Sequence, residues 1–267
     1  MSKEYHKKKA TPENRTGPVS KSTLHEFDKS PWKWAHAPPR EPSPAMELGT
    51  VVHAIALEDR SRSAEIEFTI APYDNYRTKE AREWKAQKLQ AGLIVLTERE
   101  YCQAATIAGR ARRAIKECLG ELSYEVELEV HGEFNGVDLC GLIDIVPEGG
   151  QSLWDLKTCS SIGDMRALQR TIFDRNYHVQ AALYSDLYSY NHDPLEPPEF
   201  GFVFVETSSP YETTFVKLSL DAMAAGRARY ITMVDRWKQL REVPVSDLPG
   251  SVSNGTIIDP PEWMLPA

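Results

Sequence analysis

The stretch from Leu139 to Thr158, LCGLIDIVPEGGQSLWDLKT, constrains this chain more than any other. Two apolar runs flank Pro147-Glu148-Gly149-Gly150-Gln151-Ser152, a cluster of turn formers, and this predicts a β-hairpin. If Val146 faces Leu153 across it, Asp144 lies opposite Asp155. Side chains alternate across a strand, so Lys157 joins both aspartates on one face. Ile143, Ile145, Trp154 and Leu156 are then expected together on the other face, against the core. The stretch before it, Leu122 to Phe134, alternates in the same way and ends at Asn135-Gly136, the strongest short hairpin signal. A two-residue turn there pairs Phe134 with Val137 and sets Glu127 opposite Asp144. Tyr124, Val126, Leu128 and Val130 extend the apolar face, while Glu125, Glu127 and Glu129 fall on the polar one.

Like charges directly opposite one another destabilise a sheet. Three neighbouring strands carrying Glu127, Asp144 and Asp155 side by side are expected where a cation fills the cluster. Hard divalent ions such as Mg²⁺ or Mn²⁺ take carboxylate oxygens. The alternative is a solvated polar face on an antiparallel sheet, which is common.

Asp144, ten residues, then Asp155-Leu156-Lys157 resembles the PD-(D/E)xK nuclease signature. Further elements follow the order of its RecB-like branch. Gly49-Thr50-Val51-Val52-His53 resembles the GxxxH element, Glu127 the glutamate before the first aspartate, and Gln180-Ala181-Ala182-Leu183-Tyr184 the QxxxY element. The segment SKSTLHEFDKSPWKWAH resembles the opening of exonuclease VIII-like (RecE-type) proteins. The likeness spans roughly residues 20 to 240. It departs at Leu142, where many relatives carry a basic residue, and in lacking a very long N-terminal extension.

At 267 residues the chain is long enough for one generous domain with a sizeable core. No run approaches the ~18 apolar residues of a membrane span, and the N-terminus lacks the apolar core of a secretory signal, so a cytoplasmic location is expected. Cys102, Cys118, Cys140 and Cys159 show no CxxC spacing and read as reduced thiols. Some RecB-like nucleases hold an iron–sulfur cluster with one cysteine near the start and three near the end. No cysteine follows Cys159, so no iron–sulfur cluster is expected. A net charge of −8 does not favour DNA binding, but where the charge lies matters more than its sum.

Along the chain, residues 1–18 with Lys7-Lys8-Lys9 are expected to be a disordered tail. Residues 19–242 form the nuclease domain and 243–267 a Pro-rich tail. Ser22 is a plausible N-cap for a helix through Asp28. Trp32 and Trp34 suit either core packing or stacking on a base. Ala45 to Leu57 reads as a helix burying Leu48, Val51, Val52 and Ile55. On it Gly49 would allow close approach to the sheet and let His53 reach the carboxylates. A short strand is expected over 67–71. A charged helix through Gln90 follows, and another from Glu98 to Leu119 with Thr97 and Glu100 as a capping box. Helices from Asp164, Asn176–Tyr190 and Leu220–Arg241, with strands Phe200–Glu206 and Thr213–Leu218, complete the chain.

The resemblance implies an α/β fold of the restriction-endonuclease-like type, a mixed central sheet flanked by helices. It implies a metal-dependent exodeoxyribonuclease degrading linear duplex DNA from the 5′ end, with two Mg²⁺ or Mn²⁺ per site. Asp144, Asp155, the Leu156 carbonyl, His53 and Glu127 would serve the metals. Lys157 would orient or deprotonate the water, its pKa lowered beside two metals. Gln180 and Tyr184 would position water, phosphate or DNA. Arg77, Lys79, Arg110, Arg112 and Arg113 are candidate DNA contacts. Double-stranded DNA ends, a homo-oligomeric ring of three or four subunits and a RecT-like single-strand annealing protein are the implied partners. A RecB-like nuclease or endonuclease of the same fold, or a non-catalytic DNA-binding protein, are the alternatives.

Overall fold

The strand and helix signals resolve into a mixed sheet between two helical layers. The computed structural model describes residues 9–38, 41–57 and 68–251; Lys7, Lys8 and Glu67, and the stretch 252–267, lie outside them. In chain order the elements begin with β1 (Val19–Ser20), α1 (Lys21–Lys29), α2 (Pro31–His36), α3 (Pro44–Leu57) and β2 (Phe68–Ile70). They continue with α4 (Lys79–Gln90), β3 (Ile94–Leu96), α5 (Glu98–Leu119), β4 (Tyr124–Phe134), β5 (Val137–Pro147) and β6 (Ser152–Cys159). The last are α6 (Met165–Asp174), α7 (Tyr177–His192), β7 (Glu199–Glu206), β8 (Thr213–Lys217) and α8 (Leu220–Leu240).

The main sheet runs β1-β5-β6-β7-β8, with β4 on the other edge of β5. β6 and β7 are parallel, joined across one face by α6 and α7. β7, EFGFVFVE, is buried on both sides, as its unbroken apolar run requires. Phe200, Phe202 and Phe204 face α7 and α8; Val203 and Val205 face α3 and α5. The α5 start carries the complete Thr97–Glu100 capping box.

The β4–β5 hairpin holds one register from Phe134–Val137 to Tyr124–Pro147, which sets Glu127 across from Asp144. β5 meets β6 at Ile145–Trp154, so Asp144 and Asp155 lie opposite one another one step along. One expectation fails here. Val126, Ile145, Trp154 and Leu156 pack against α3 and α5, but Leu128, Val130 and Ile143 pack on the α7 side. The hairpin thus exchanges its faces midway. The exchange falls at Glu127, whose backbone is left-handed with φ 54°, a rare conformation for a residue with a side chain.

The N-terminal helix also starts earlier than expected. Ser20, not Ser22, caps α1, its hydroxyl accepting from the Thr23 N–H. Val19-Ser20 pairs with Leu139-Cys140, filling the sheet edge that β6 leaves. Ser30 then caps the short α2, with Pro31 in its first turn. Trp34 packs edge-on with Phe27 and Trp237, whereas Trp32 is exposed and stacks on His36. Packing extends past both ends of 19–242: Ala10 N–H donates to the Pro18 carbonyl, Arg15 to the Val243 carbonyl, and Leu248 is buried.

α7 and α8 cross where Gly226 meets the α7 backbone. A Cβ there would stand 2.1 Å from the His178 carbonyl oxygen. Alanine in a helix normally gains up to ~1 kcal/mol over glycine, but a backbone clash outweighs that. Gly226→Ala should destabilise the protein by about 2 kcal/mol or more. A urea midpoint equal to or above wild type would contradict this packing.

Candidate active site

Where β5 and β6 part, the charged side chains meet. Asp144 Oδ2 accepts the Leu156 N–H at 2.8 Å, a side-chain bond in place of a ladder bond. Asp155 is 2% exposed. Its Oδ1 accepts from Gln180 Nε2. Its Oδ2 forms an ion pair with Lys157 Nζ at 2.5 Å. Gln180 Oε1 in turn accepts from Lys157 Nζ at 3.2 Å. The Gln180 amide is therefore committed to Asp155 and Lys157 rather than turned toward solvent, as a buried amide must find partners.

α3 delivers His53 from the opposite layer. A Cβ at Gly49 would lie 3.3 Å from Thr158 Oγ1, so the glycine lets this helix sit against β6. One turn on, His53 Nδ1 is 3.5 Å from Asp144 Oδ2. Glu127 adds its charge to both His53 and Asp144. Tyr184, one turn after Gln180, is 9% exposed and its ring covers Gly141, where a Cβ would stand 2.7 Å from it. It forms a wall of the site rather than a surface.

Burial dominates the electrostatics. Burial, then the Asp155 charge, pushes the Asp144 carboxyl well above the ordinary carboxylate range. Burial pulls the His53 imidazole down, favouring the neutral ring. For Lys157 burial acts downward, but Asp155 and Asp144 together outweigh it and the ammonium is held above its usual value. Burial also raises the Tyr184 phenol, so it stays protonated.

The basic residues divide. Arg77 and Arg110 are exposed; Lys79 pairs with Glu83 at 3.7 Å and Arg113 with Glu117 at 3.2 Å. Arg112, another candidate DNA contact, donates to the Ile55 and Ala56 carbonyls. Those carbonyls lie in the last turn of α3, where a guanidinium is a favourable donor. Two residues near the lysine were not among the candidate site residues. The ring of Tyr177 lies against Lys157, and Lys21, at the start of α1, shares that ring. Lys21 sits between serines at a helix start, a pattern that carries no sign of what it meets in space.

The donor set fits a hard divalent ion. Two buried carboxylates, Asp144 and Asp155, repel one another beside a neutral imidazole, and oxygen donors with one nitrogen suit Mg²⁺ or Mn²⁺. Among the described residues no three His, Cys, Asp or Glu side chains already converge at coordinating spacing. Among the same residues, no helix is long and apolar enough to cross a membrane.

Residues 18–247 match the profile of a family described as a PDDEXK-like domain of unknown function. No curated protein matches the chain in sequence. Its fold is similar to that of a Eubacterium rectale protein described as a candidate exonuclease, with a TM-score of 0.65 at 14% identity, over 98% of this chain and 95% of that one. A phage-related exonuclease from Haemophilus somnus aligns with a TM-score of 0.36 at 13% identity, over 84% of this chain and 94% of that one. At that score the second likeness carries no weight.

Proposed function

Because the chain belongs to the PDDEXK-like domain family, we propose that it is a metal-dependent exodeoxyribonuclease that degrades linear double-stranded DNA. The observation that carries this reading is the buried pair Asp144 and Asp155 on diverging strands, with Lys157 2.5 Å from Asp155. The 5′-to-3′ direction rests on the resemblance alone.

Asp144, Asp155 and the Leu156 carbonyl would hold the divalent ions, with His53 and Glu127 at the edge of the site. Such ions, when bound, lower the pKa of water and stabilise charge on phosphate. The protein's own groups supply the rest. Gln180 fixes Asp155 and Lys157 relative to each other, so the carboxylate and ammonium keep one geometry. Lys157 offsets charge on the phosphate and orients the attacking water. Tyr184 closes the apolar side of the site and excludes bulk water. The Asp144–Leu156 bond holds the two strands at the separation the site needs. We further propose a ring of three or four copies around the duplex, with a RecT-like annealing protein receiving the single strand. A monomer mass by light scattering, for an active and processive enzyme, would remove the ring.

The test is digestion of end-labelled linear duplex and supercoiled plasmid, with and without Mg²⁺. Release of the 5′ label from linear DNA alone, only with Mg²⁺, is expected. Nicking of the plasmid would make the protein an endonuclease, and intact DNA in every lane would end the nuclease reading.

A further inference from the structure

Lys157 has a neighbour that neither its strand nor the acidic cluster supplies. Tyr177 opens α7 directly after Asn176, whose backbone is left-handed with φ 54°. The turn swings the tyrosine over the sheet, where its ring leans on Phe202 and Phe204 with centroids 5.6 and 6.3 Å away. In the parallel ladder Phe202 is the partner of Asp155 and Phe204 the partner of Lys157. Packing on those two phenylalanines therefore places the Tyr177 ring beside the reactive pair. Lys157 Nζ lies 4.9 Å from its centroid. Lys21 Nζ reaches the same ring at 5.8 Å from α1, and is held there by the Arg175 carbonyl at 3.0 Å.

We propose that Tyr177 is a positioning residue whose ring holds the Lys157 and Lys21 ammonium groups together, as a paired cationic seat for the DNA phosphates at the cut. The proposal rests on the nuclease reading and adds to it a second phosphate contact, Lys21, and the group that aligns both. An ammonium offers three donors on a flexible stem. Asp155 and Gln180 meet Lys157 on two sides, and the ring face meets it on a third through a cation–π contact. When Asp155 turns its charge to a divalent ion, the ring and Gln180 still fix the ammonium. Lys21 is half-buried, and burial followed by repulsion from Lys157 brings its amine down to about 8. The two ammonium groups repel one another across the ring, and a phosphate bound by both relieves that repulsion.

The test compares Tyr177→Leu, which keeps apolar packing but removes the ring face, with Tyr177→Phe, which keeps the face. Single-turnover cleavage of linear duplex in saturating Mg²⁺ should fall about ten-fold in Tyr177→Leu and stay within about two-fold of wild type in Tyr177→Phe. In a Lys157→Ala, Lys21→Met background Tyr177→Leu should add no further loss, since its effect runs through those two lysines. Lys21→Met should instead weaken duplex binding in Ca²⁺ several-fold and reduce the salt slope by about one. An equal loss from Tyr177→Leu with or without the two lysines would mark a purely structural ring and overturn the proposal. Should the wild type not cleave at all, the nuclease reading falls and binding decides the seat: unchanged affinity in both Lys21→Met and Tyr177→Leu removes it, and weakened affinity in both upholds it.

Discussion

Asp144→Asn and Asp155→Asn should each abolish cleavage, by a factor of about a thousand or more, yet move the stability of the metal-free protein in opposite directions. The loss of activity follows because each carboxylate would hold an ion worth several kcal/mol to the reaction, and each ~1.4 kcal/mol is a factor of ten. The stability effects differ because the two aspartates have different neighbours. Asp144 is buried beside Asp155, and its folded pKa is raised well above the unfolded value, near 3.9. The folded state then binds its proton more tightly, so stability falls as pH rises from about 4 through the folded pKa. Asparagine carries no charge and its amide oxygen still accepts the Leu156 N–H, now donated to Asp144 Oδ2. Asp144→Asn should therefore stabilise the metal-free protein at pH 7 and have little effect near pH 3. Asp155 is the charge partner of Lys157, whose side chain is only 19% exposed. Asp155→Asn leaves that ammonium without its close anion and should cost about 2 kcal/mol at pH 7. Urea unfolding in EDTA at pH 7 and pH 3, beside DNA digestion, reads both effects. Near wild-type digestion by either variant, or a less stable Asp144→Asn at pH 7, would break the assignment.

Much of this geometry was legible because strand pairing is local and periodic. Alternation with a period of two, together with Asn135-Gly136, fixes which residue faces which, so Glu127, Asp144 and Asp155 could be aligned from the sequence. The capping box at Thr97 was legible for the same reason, being contained in four adjacent residues. The exchange of faces was not. It depends on the backbone of Glu127, and a glutamate in an alternating run gives no sign of a left-handed conformation. The bonds of Arg112 were not legible because its partners, the Ile55 and Ala56 carbonyls, come from a distant helix end. On composition alone a basic helix looks the same whether its guanidinium groups meet phosphate or the protein's own carbonyls. Tyr177 and Lys21 escaped on similar grounds, since their meeting at Lys157 depends on how α1 and α7 dock over β6 and β7.

Lys157→Ala should lower the single-turnover rate by about a hundred- to ten-thousand-fold while leaving Mn²⁺ affinity equal to wild type or higher. The two readouts part because Lys157 and a divalent ion answer the same charge. Its ammonium stands 2.5 Å from Asp155 Oδ2, so removing it frees that carboxylate for an ion and removes a repelling cation. The chemistry then loses the group that offsets charge building on the phosphate, an interaction stronger in the transition state than in the ground state. DNA affinity in Ca²⁺ should fall only modestly, which sets Lys157 apart from Lys21. The ammonium is held above its usual pKa by Asp155 and Asp144 against the pull of burial. A folded pKa above the unfolded one gives stability that is full below the unfolded value, ~10.4, and is lost as pH rises through the folded one. Lys157→Ala in EDTA should accordingly be less stable than wild type at pH 7, with the gap closing only at strongly alkaline pH. Calorimetric titration with Mn²⁺ beside single-turnover cleavage decides the role. If Mn²⁺ binding falls as far as it does in Asp144→Asn, Lys157 serves to build the metal site rather than to act on the substrate.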